Sequence, residues 1–233
     1  MTGNHYFIVG GTSGIGRSLV ERLSSKGASL IVMSRSAIPE SSTERIHYVC
    51  GDITDPSLSF DFLPENLQGV VYCPGSIRLR PFNRLSSDDF EADLAINVMG
   101  AVRTLQAALL PMKKSRSGAS AVLFSSVAVT KGLPFHASIA AAKGAIEGLV
   151  RSLAAELAPR IRINAVAPSL TDTPLATGLL SDEQKRQAAA DRHPLKKIGT
   201  AEDIAGAAAF LLDPASGWIT GQIIHVDGGL STL

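Results

Sequence analysis

The sequence predicts an α/β fold, a Rossmann-type doubly wound parallel β-sheet with helices on both faces. Its first basis is seven short apolar runs, predicted as strands at 5–10, 29–34, 46–50, 69–73, 121–126, 162–167 and 222–227. Most are apolar at successive positions, as strands buried on both faces must be. Helical patterns lie near 15–26, 88–112, 139–158 and 201–212. Strands that alternate with helices in this way favour a parallel sheet.

Length and composition indicate one globular unit. The chain has 233 residues, of which 45% are hydrophobic and 18% charged, values typical of an ordinary folded domain. No internal repeat or domain boundary is evident, so one dinucleotide-binding domain over 1–233 is expected. The linkers 35–45 and 51–68 are short and rich in Pro and Ser, so one or both are predicted to form a turn instead of a crossover helix.

Charge and cysteine content narrow the function classes. The net charge of +1 gives no electrostatic basis for a nucleic acid or membrane partner. No apolar run reaches the ~18 residues that a membrane span needs, and no signal peptide is evident. The two cysteines, Cys50 and Cys73, have neither paired nor metal-ligand spacing. We therefore expect a cytoplasmic protein without a metal site.

The segment "VGGTSGIG" (9–16) is the most informative motif. It places Gly10, Gly14 and Gly16 directly after the first predicted strand and at the start of the first helix. Glycine is needed where φ is positive or where backbone must approach a ligand closely. The free N–H groups of a helix N-terminus then favour a pyrophosphate. A strand, this turn and a helix in succession predict dinucleotide binding.

With its further segments the chain resembles the short-chain dehydrogenase/reductase family along nearly its whole length. The segments are "GDITD" (51–55), "YCPG" (72–75), "INVMG" (96–100), "LFSSVAV" (123–129), "NAVAPSLTDTP" (164–174) and "ITGQIIHVDGG" (219–229). "YCPG" keeps only the glycine of the usual Asn-Asn-Ala-Gly, and Ser169 replaces the glycine of the usual Pro-Gly loop. The order and spacing of the segments carry the resemblance more than any one of them does.

The resemblance implies a set of cofactor-binding residues. Asp52 would meet the adenine, and the loop after the sixth predicted strand would lie over the nicotinamide. The full set is Gly10, Thr12, Ser13, Gly14, Ile15, Gly16, Ser34, Arg35, Asp52, Ile53, Cys73, Pro74, Gly75, Lys143, Pro168, Ser169, Thr171 and Thr173.

The end of the second predicted strand bears on the choice between the two nicotinamide cofactors. Dehydrogenases that prefer NAD commonly place a carboxylate there, whereas this chain has Ser34 followed by Arg35. A hydroxyl beside a guanidinium suits a 2′-phosphate, so NADP(H) is predicted over NAD(H). In the alternative interpretation Arg35 merely points to solvent.

The resemblance also implies the reaction. Ser126 would steady the substrate oxygen, Lys143 would bind the nicotinamide ribose, and Asn97 would hold a water near the lysine. The family's proton donor is a tyrosine four residues before the lysine, where this chain has Ile139. Because an aliphatic side chain cannot donate a proton, the usual mechanism cannot run unchanged. Losing such an acid costs on the order of 10²- to 10⁴-fold in rate.

Three interpretations stay open at this point. His136 lies seven residues before Lys143, the wider spacing that related enoyl reductases use for their tyrosine, and imidazole can donate a proton near neutral pH; it could also be an ordinary loop histidine. A substrate that needs no tyrosine could instead be protonated by Ser126, by Lys143 or by a water on Asn97. The chain could also bind NADP(H) without catalysis, as a sensor or a subunit of a complex.

Substrate and assembly are less visible. The segment 175–198 resembles the family's mobile substrate flap, which implies a small-molecule substrate. Arg78 and Arg80 could meet an anionic substrate or simply be solvated. The helical segments 88–112 and 139–158 carry Ala- and Leu-rich faces like those that form a symmetric interface in the family. A homodimer or homotetramer is therefore expected.

Overall fold

The computed structural model describes residues 4–35 and 44–233, and all seven predicted strands form one parallel sheet within them. The strands are β1 (His5–Val9), β2 (Ser29–Ser34), β3 (Ile46–Cys50), β4 (Gly69–Tyr72), β5 (Ala119–Phe124), β6 (Ile161–Pro168) and β9 (Ile223–Val226). Their order in space is β3-β2-β1-β4-β5-β6-β9, and every neighbouring pair is parallel. Two further strands, β7 (Thr171–Asp172) and β8 (Gly199–Thr200), form a separate two-stranded ribbon.

Within the described residues, six α-helices accompany the strands. They are α1 (Gly14–Ser25), α2 (Ser87–Leu94), α3 (Gly100–Lys113), α4 (Ala137–Leu157), α5 (Glu183–Asp191) and α6 (Ala201–Leu212). The predicted fold class is confirmed. The segment 51–68 contains turns and no helix, as its composition predicts, whereas most of the linker 35–45 lies outside the described residues.

The two faces of the sheet bury two apolar layers. Along β1, Phe7 and Val9 belong to one layer and Tyr6 and Ile8 to the other, because successive side chains of a strand point to opposite faces. The first layer packs under α3 and α4, and the second under α1 and α6. A fully buried Leu or Ile contributes about 1.5–3 kcal/mol, so covering both faces stabilises the long apolar strands that the sequence shows.

The helix from Ser87 to Lys113 contains a π-helical segment, Ala95–Met99, that joins α2 to α3. By length and composition alone this helix could cross a membrane, and a third of its most apolar window is buried in the fold. The core helix of a folded domain can have the same length and apolar composition. Ala101, Leu105 and Ala108 pack in the first apolar layer, which is the role of such a core helix.

The strand order positions the candidate site. The chain winds outward from β1 in one direction through β2 and β3, and in the other through β4 and β5. Ligands bind in such sheets at the carboxyl ends of the strands, where the order reverses. Backbone hydrogen bonds connect the carboxyl ends of these strands. Cys73 N, after β4, donates to Val9 O of β1 at 3.0 Å, and Gly10 N, after β1, donates to Met33 O of β2 at 2.7 Å. The crevice therefore opens above β1 and β4.

Candidate active site

The glycine turn after β1 is built for close approach of a ligand. Gly10 and Gly14 have φ of +80° and +50°, which disfavour any residue with a Cβ. A Cβ on Gly16 would lie 2.2 Å from the Gly10 carbonyl oxygen, so this position can hold glycine alone. The N-cap, Ser13, makes no side-chain hydrogen bond to the helix, and the first turn of α1 carries no acidic residue. The N–H groups that open α1 thus suit an anion.

A cleft of about 290 Å³ lies over this turn. Most of the predicted cofactor residues line it: Gly10, Thr12, Ser13, Gly14, Ile15, Gly16, Ser34, Arg35, Asp52, Ile53, Cys73, Pro74, Gly75 and Thr173. They come from five separate stretches of the chain, which the strand order brings to one edge of the sheet. Lys143, Pro168, Ser169 and Thr171 are not among the lining residues.

One wall of the cleft is polar. Asp52 Oδ1 accepts hydrogen bonds from the N–H and the hydroxyl of Thr54, at 2.8 and 2.7 Å. These bonds lower the pKa of the Asp52 carboxyl, and Arg35 lowers it further through its charge. Ile53 is buried beside Asp52, and its carbonyl oxygen accepts from Arg103. The exposed Arg35 and the half-buried Ser34 lie along the same wall.

Gly75 forms the floor of the cleft, and the buried side chains of Lys143 and Asn97 lie close to it. A Cβ on Gly75 would lie 3.3 Å from Asn97 Oδ1 and 3.6 Å from Lys143 Nζ. Lys143 Nζ donates to the Phe124 carbonyl oxygen at 2.9 Å, and the side chain is only 8% exposed. Burial lowers the pKa of Lys143 to about 8, and electrostatic interactions with Cys73 and Asp93 oppose this effect by raising the pKa. Lys143 can therefore exchange a proton near neutral pH.

Asn97 lies within the π-helical segment and is 1% exposed. Its Nδ2 donates to Ser76 Oγ and to the Asp93 carbonyl oxygen, both at 2.9 Å. Its Oδ1 has no hydrogen-bond partner within the described part of the chain. An unsatisfied buried acceptor is costly, so Asn97 Oδ1 is available to a group that enters at Gly75.

Ser126 follows the end of β5 and caps a short 3₁₀ turn, Val127–Val129. Its Oγ accepts from Ala128 N at 3.2 Å, and the residue is half-buried. Lys143 Nζ donates to the carbonyl oxygen of Phe124, which lies two residues before Ser126. The side chains of Ser126 and Lys143 are therefore both located at the carboxyl end of β5.

His136 and Ile139 open the helix that carries Lys143. His136 is the N-cap of α4, and its Nδ1 lies 2.6 Å from the Pro134 carbonyl oxygen. Because a carbonyl oxygen can only accept, Nδ1 carries the proton in this bond. The preceding residue, Phe135, has a φ of +68°. Ile139, one turn before Lys143, is buried with 6% exposure.

The loop after β6 divides between two clefts. Thr173 lines the main cleft and packs on the glycine turn, where a Cβ on Gly14 would lie 3.3 Å from its Cβ. Ser169 instead lines a second, smaller cleft, and its Oγ lies 2.8 Å from Nε2 of the buried His193. Pro168 ends β6, and Thr171 Oγ1 donates to the Ser169 carbonyl oxygen. The roles assigned to Pro168, Ser169 and Thr171 stay predictions.

The segment predicted as a flap, 175–198, overlaps the 3₁₀ turn Pro174–Leu179 and contains α5. Leu175 lines the main cleft and is half exposed. Arg186 on α5 bonds the Asp172 carboxylate at 2.7 Å, which ties the segment to β7.

The two arginines of the loop after Gly75 are both paired. Arg78 forms an ion pair with Asp89 at the start of α2, and Arg80 lies 3.6 Å from the same carboxylate. Among the described residues no group of three or more His, Cys, Asp or Glu could hold a metal ion.

Sequence reasoning missed two polar residues beside the site, Ser76 and Asp93. Ser76 Oγ donates to Asp93 Oδ1 at 2.6 Å, and Asp93 is fully buried. The available signal was a carboxylate four residues before Asn97, one turn away on an otherwise apolar stretch of helix.

Comparison with known proteins fits this geometry. The family model described as Enoyl-(Acyl carrier protein) reductase matches residues 9–231. The chain belongs to the short-chain dehydrogenase/reductase family. It is 34% identical over 247 residues to an Arabidopsis thaliana tropinone reductase homolog, At2g29290, covering 99% of this chain and 94% of that one. It is also 34% identical over 246 residues to the Haemophilus influenzae 3-oxoacyl-[acyl-carrier-protein] reductase FabG, covering 99% of each chain.

Among solved structures of this family, ElxO with NADP bound superposes with a TM-score of 0.91 at 26% identity, covering 100% of both chains. Named members are reductases and dehydrogenases, so this short-chain dehydrogenase/reductase is of the oxidoreductase type, with a fold of the NAD(P)-binding kind.

Proposed function

We propose that this family member is an NADP(H)-dependent oxidoreductase that transfers a hydride to or from a small carbonyl, alcohol or enoyl substrate. One observation carries the proposal. A single cleft joins the glycine turn and the end of β2 to a floor at Gly75 that Lys143 and Asn97 approach from below. The dinucleotide, when bound, supplies the hydride; the chain's own residues hold it, orient the substrate and manage the proton.

The residues present suit such a dinucleotide. A Cβ on Gly16 would fill the cradle, and the uncapped start of α1 offers N–H groups to a pyrophosphate. Preference for NADP(H) over NAD(H) is supported by Ser34 and Arg35 on the cleft wall, because a guanidinium attracts a 2′-phosphate that a carboxylate would repel. The NADP bound to ElxO is consistent with this choice.

We infer that Ile139 occupies the position of the family's catalytic tyrosine, and that Lys143 is the proton donor. The support is its location beside Gly75 together with its pKa of about 8, since a catalytic acid works best when its pKa lies near the working pH. His136 lies seven residues away along α4, about 10 Å at the rise of a helix, and its Nδ1 is engaged by Pro134.

A second candidate function is nucleotide binding without catalysis. It is favoured by the absence of a tyrosine from α4: the chain's three tyrosines lie in β1, β3 and β4. Tyr72, the one on β4, donates its hydroxyl to the Ile96 carbonyl oxygen. Under this proposal Lys143 serves only to bind the ribose, and the chain acts as a sensor or a subunit.

Assembly and location complete the proposal. We propose a cytoplasmic homodimer or homotetramer that meets through α3 and α4. Leu110 on α3 is 63% exposed, and Met99, the residue that precedes α3, is 54% exposed. Large apolar side chains on one helix support a face that a second copy would cover.

A fluorescence titration with NADPH and, in parallel, NADH tests binding, and a panel of carbonyl and enoyl compounds then tests turnover. We expect NADPH to bind at least tenfold tighter than NADH. Lys143→Met should abolish turnover, whereas His136→Ala and the exposed control Lys114→Met should leave it within about twofold.

Outcomes separate the candidates. Binding without turnover across the panel would favour the non-catalytic function. Loss of turnover in His136→Ala with retention in Lys143→Met would reassign the proton donor. If neither nucleotide binds at near-millimolar concentration, both functions are refuted.

A further inference from the structure

Asp93 is a buried carboxylate next to the candidate site that the family resemblance does not account for. It is 0% exposed and lies on α2, a helix that packs against α4. Its Oδ1 accepts from Ser76 Oγ at 2.6 Å, while its Oδ2 has no hydrogen-bond partner among the residues described. A buried carboxylate is costly unless a compensating charge lies near it. Ser76 alone does not supply that charge.

The groups around Asp93 converge on the floor of the cleft. Ser76, which Asp93 accepts from, directly follows Gly75 and is half-buried. Asn97 bonds both the hydroxyl of Ser76 and the backbone of Asp93, and its own unpartnered Oδ1 faces Gly75. Lys143 Nζ approaches the same glycine. Asp93 thus lies behind the polar groups that line this floor.

The charge of Asp93 reaches Lys143. Besides burial, which lowers the pKa of Lys143, Cys73 and Asp93 act on the ammonium and raise that pKa. The Cys73 thiol has its pKa raised to about 12 by burial, so it is neutral at physiological pH. Glu147, one turn beyond Lys143 on α4, is engaged by Ser125 and Arg151. Among these side chains, the carboxylate of Asp93 therefore acts on the lysine through its charge.

We infer that Asp93 is a positioning residue of the active site, the buried counter-charge that keeps the Lys143 amine protonated beneath the cleft. The consequence for catalysis rests on the proposed function. There, an N–H bond of the Lys143 ammonium breaks as the new O–H bond of the reduced product forms, and the neutral amine then regains a proton from solvent. Asp93 favours this return of the proton, because it stabilises the charged lysine.

The test is a pH titration of Lys143 in protein labelled at lysine. NMR of the lysine ε-carbon monitors the titration, and Lys143→Met assigns the signal. Asp93→Asn removes the charge and keeps an oxygen that can accept from Ser76. We expect this variant to lower the pKa of Lys143 by about one unit, because loss of an opposite charge disfavours the ammonium. Glu91→Gln is the matched control, since it removes the same charge from the exposed side of the same helix, and its titration should follow the wild type.

A titration of Lys143 that is unchanged in Asp93→Asn would overturn the inference. If that variant does not fold, Asp93→Leu removes the charge without leaving a buried polar group, a replacement that proteins often tolerate, and the same downward shift is expected. Since the titration needs no nucleotide and no turnover, it stands even if the proposed oxidoreductase activity fails.

Where turnover is measurable, kinetics give a second readout. In Asp93→Asn the alkaline limb of the kcat profile should move to lower pH by the same amount, while the KM for NADPH stays within about twofold. An equal loss of kcat at every pH, with the limb unmoved, would indicate a structural role only and would overturn the inference.

Discussion

Substituting Gly16 by Ala changes one atom at the base of the proposed pyrophosphate site. The new Cβ would stand 2.2 Å from the Gly10 carbonyl oxygen, 2.9 Å from its carbon and 3.0 Å from the Gly11 Cα. All three neighbours are backbone, so no side chain can turn aside. Relief requires a backbone shift of about 1 Å, and overpacking of this kind costs about 1–3 kcal/mol.

Such a shift misaligns the N–H groups at the start of α1. We expect the affinity for NADPH, measured by fluorescence titration, to fall at least tenfold, equivalent to about 1.4 kcal/mol. The Tm should fall by about 2–4 °C for each kcal/mol of stability lost.

The matched control is Gly206→Ala in the middle of α6. Its Cβ would meet the Arg22 guanidinium at 3.7 Å, an ordinary contact, and alanine in place of glycine favours a helix by about 0.5–1 kcal/mol. The control should therefore be slightly stabilised and bind NADPH normally. Wild-type affinity and Tm in Gly16→Ala would refute the reasoning about the turn.

Three further substitutions have defined expectations. Ser34→Asp should weaken NADPH binding at least tenfold and leave NADH binding unchanged, because a carboxylate on the cleft wall repels the 2′-phosphate. Parallel titrations with the two nucleotides measure this, and an unchanged ratio of the two affinities contradicts the cofactor proposal. Ile139→Tyr should raise kcat/KM at least tenfold, because it introduces a phenolic proton donor one turn before Lys143. No gain would show that the surrounding residues do not support proton transfer from a tyrosine at this position. Thr200→Ala should destabilise by about 1 kcal/mol, since the hydroxyl of Thr200 caps α6 at Asp203 N; an unchanged urea midpoint would contradict this.

The sheet and the glycine turn could be predicted because their causes are local. Strands buried on both faces are continuous apolar runs, and only glycine tolerates the turn at Gly10 and the contact at Gly16. The ribbon of β7 and β8 could not be found in this way, because strands of two residues are too short to show a period.

The missed parts of the site depend on contacts between distant segments. Asp93 is fully buried on α2, a helix that packs against α4, and no local pattern around it shows that packing. Ser169 meets His193, 24 residues further along the chain, so the loop after β6 divides between two clefts instead of lying wholly over one. The pairing of Arg78 with Asp89 likewise needs the loop after Gly75 to fold back on α2, which sequence spacing does not show.

The buried lysine makes stability itself depend on pH. The pKa of Lys143 falls from 10.5 to about 8 on folding. Below pH 8 both states hold the proton, and the folded state bears the full cost of a buried ammonium. As pH rises from 8 to 10.5 the folded state releases the proton and the unfolded state keeps it, so stability rises across this window by about 3 kcal/mol.

Cys73 opposes this trend, because its thiol has a raised pKa in the folded state and stability is lost as pH rises above its unfolded value of 9.0. The free energy of unfolding must therefore be compared with that of Lys143→Met at each pH, since both proteins share the thiol. We expect the wild type to gain on the variant by about 3 kcal/mol between pH 7 and 10.5 in urea denaturation. A constant difference would mean that Lys143 keeps its ordinary pKa when folded, and then it could not serve as the proton donor that we propose.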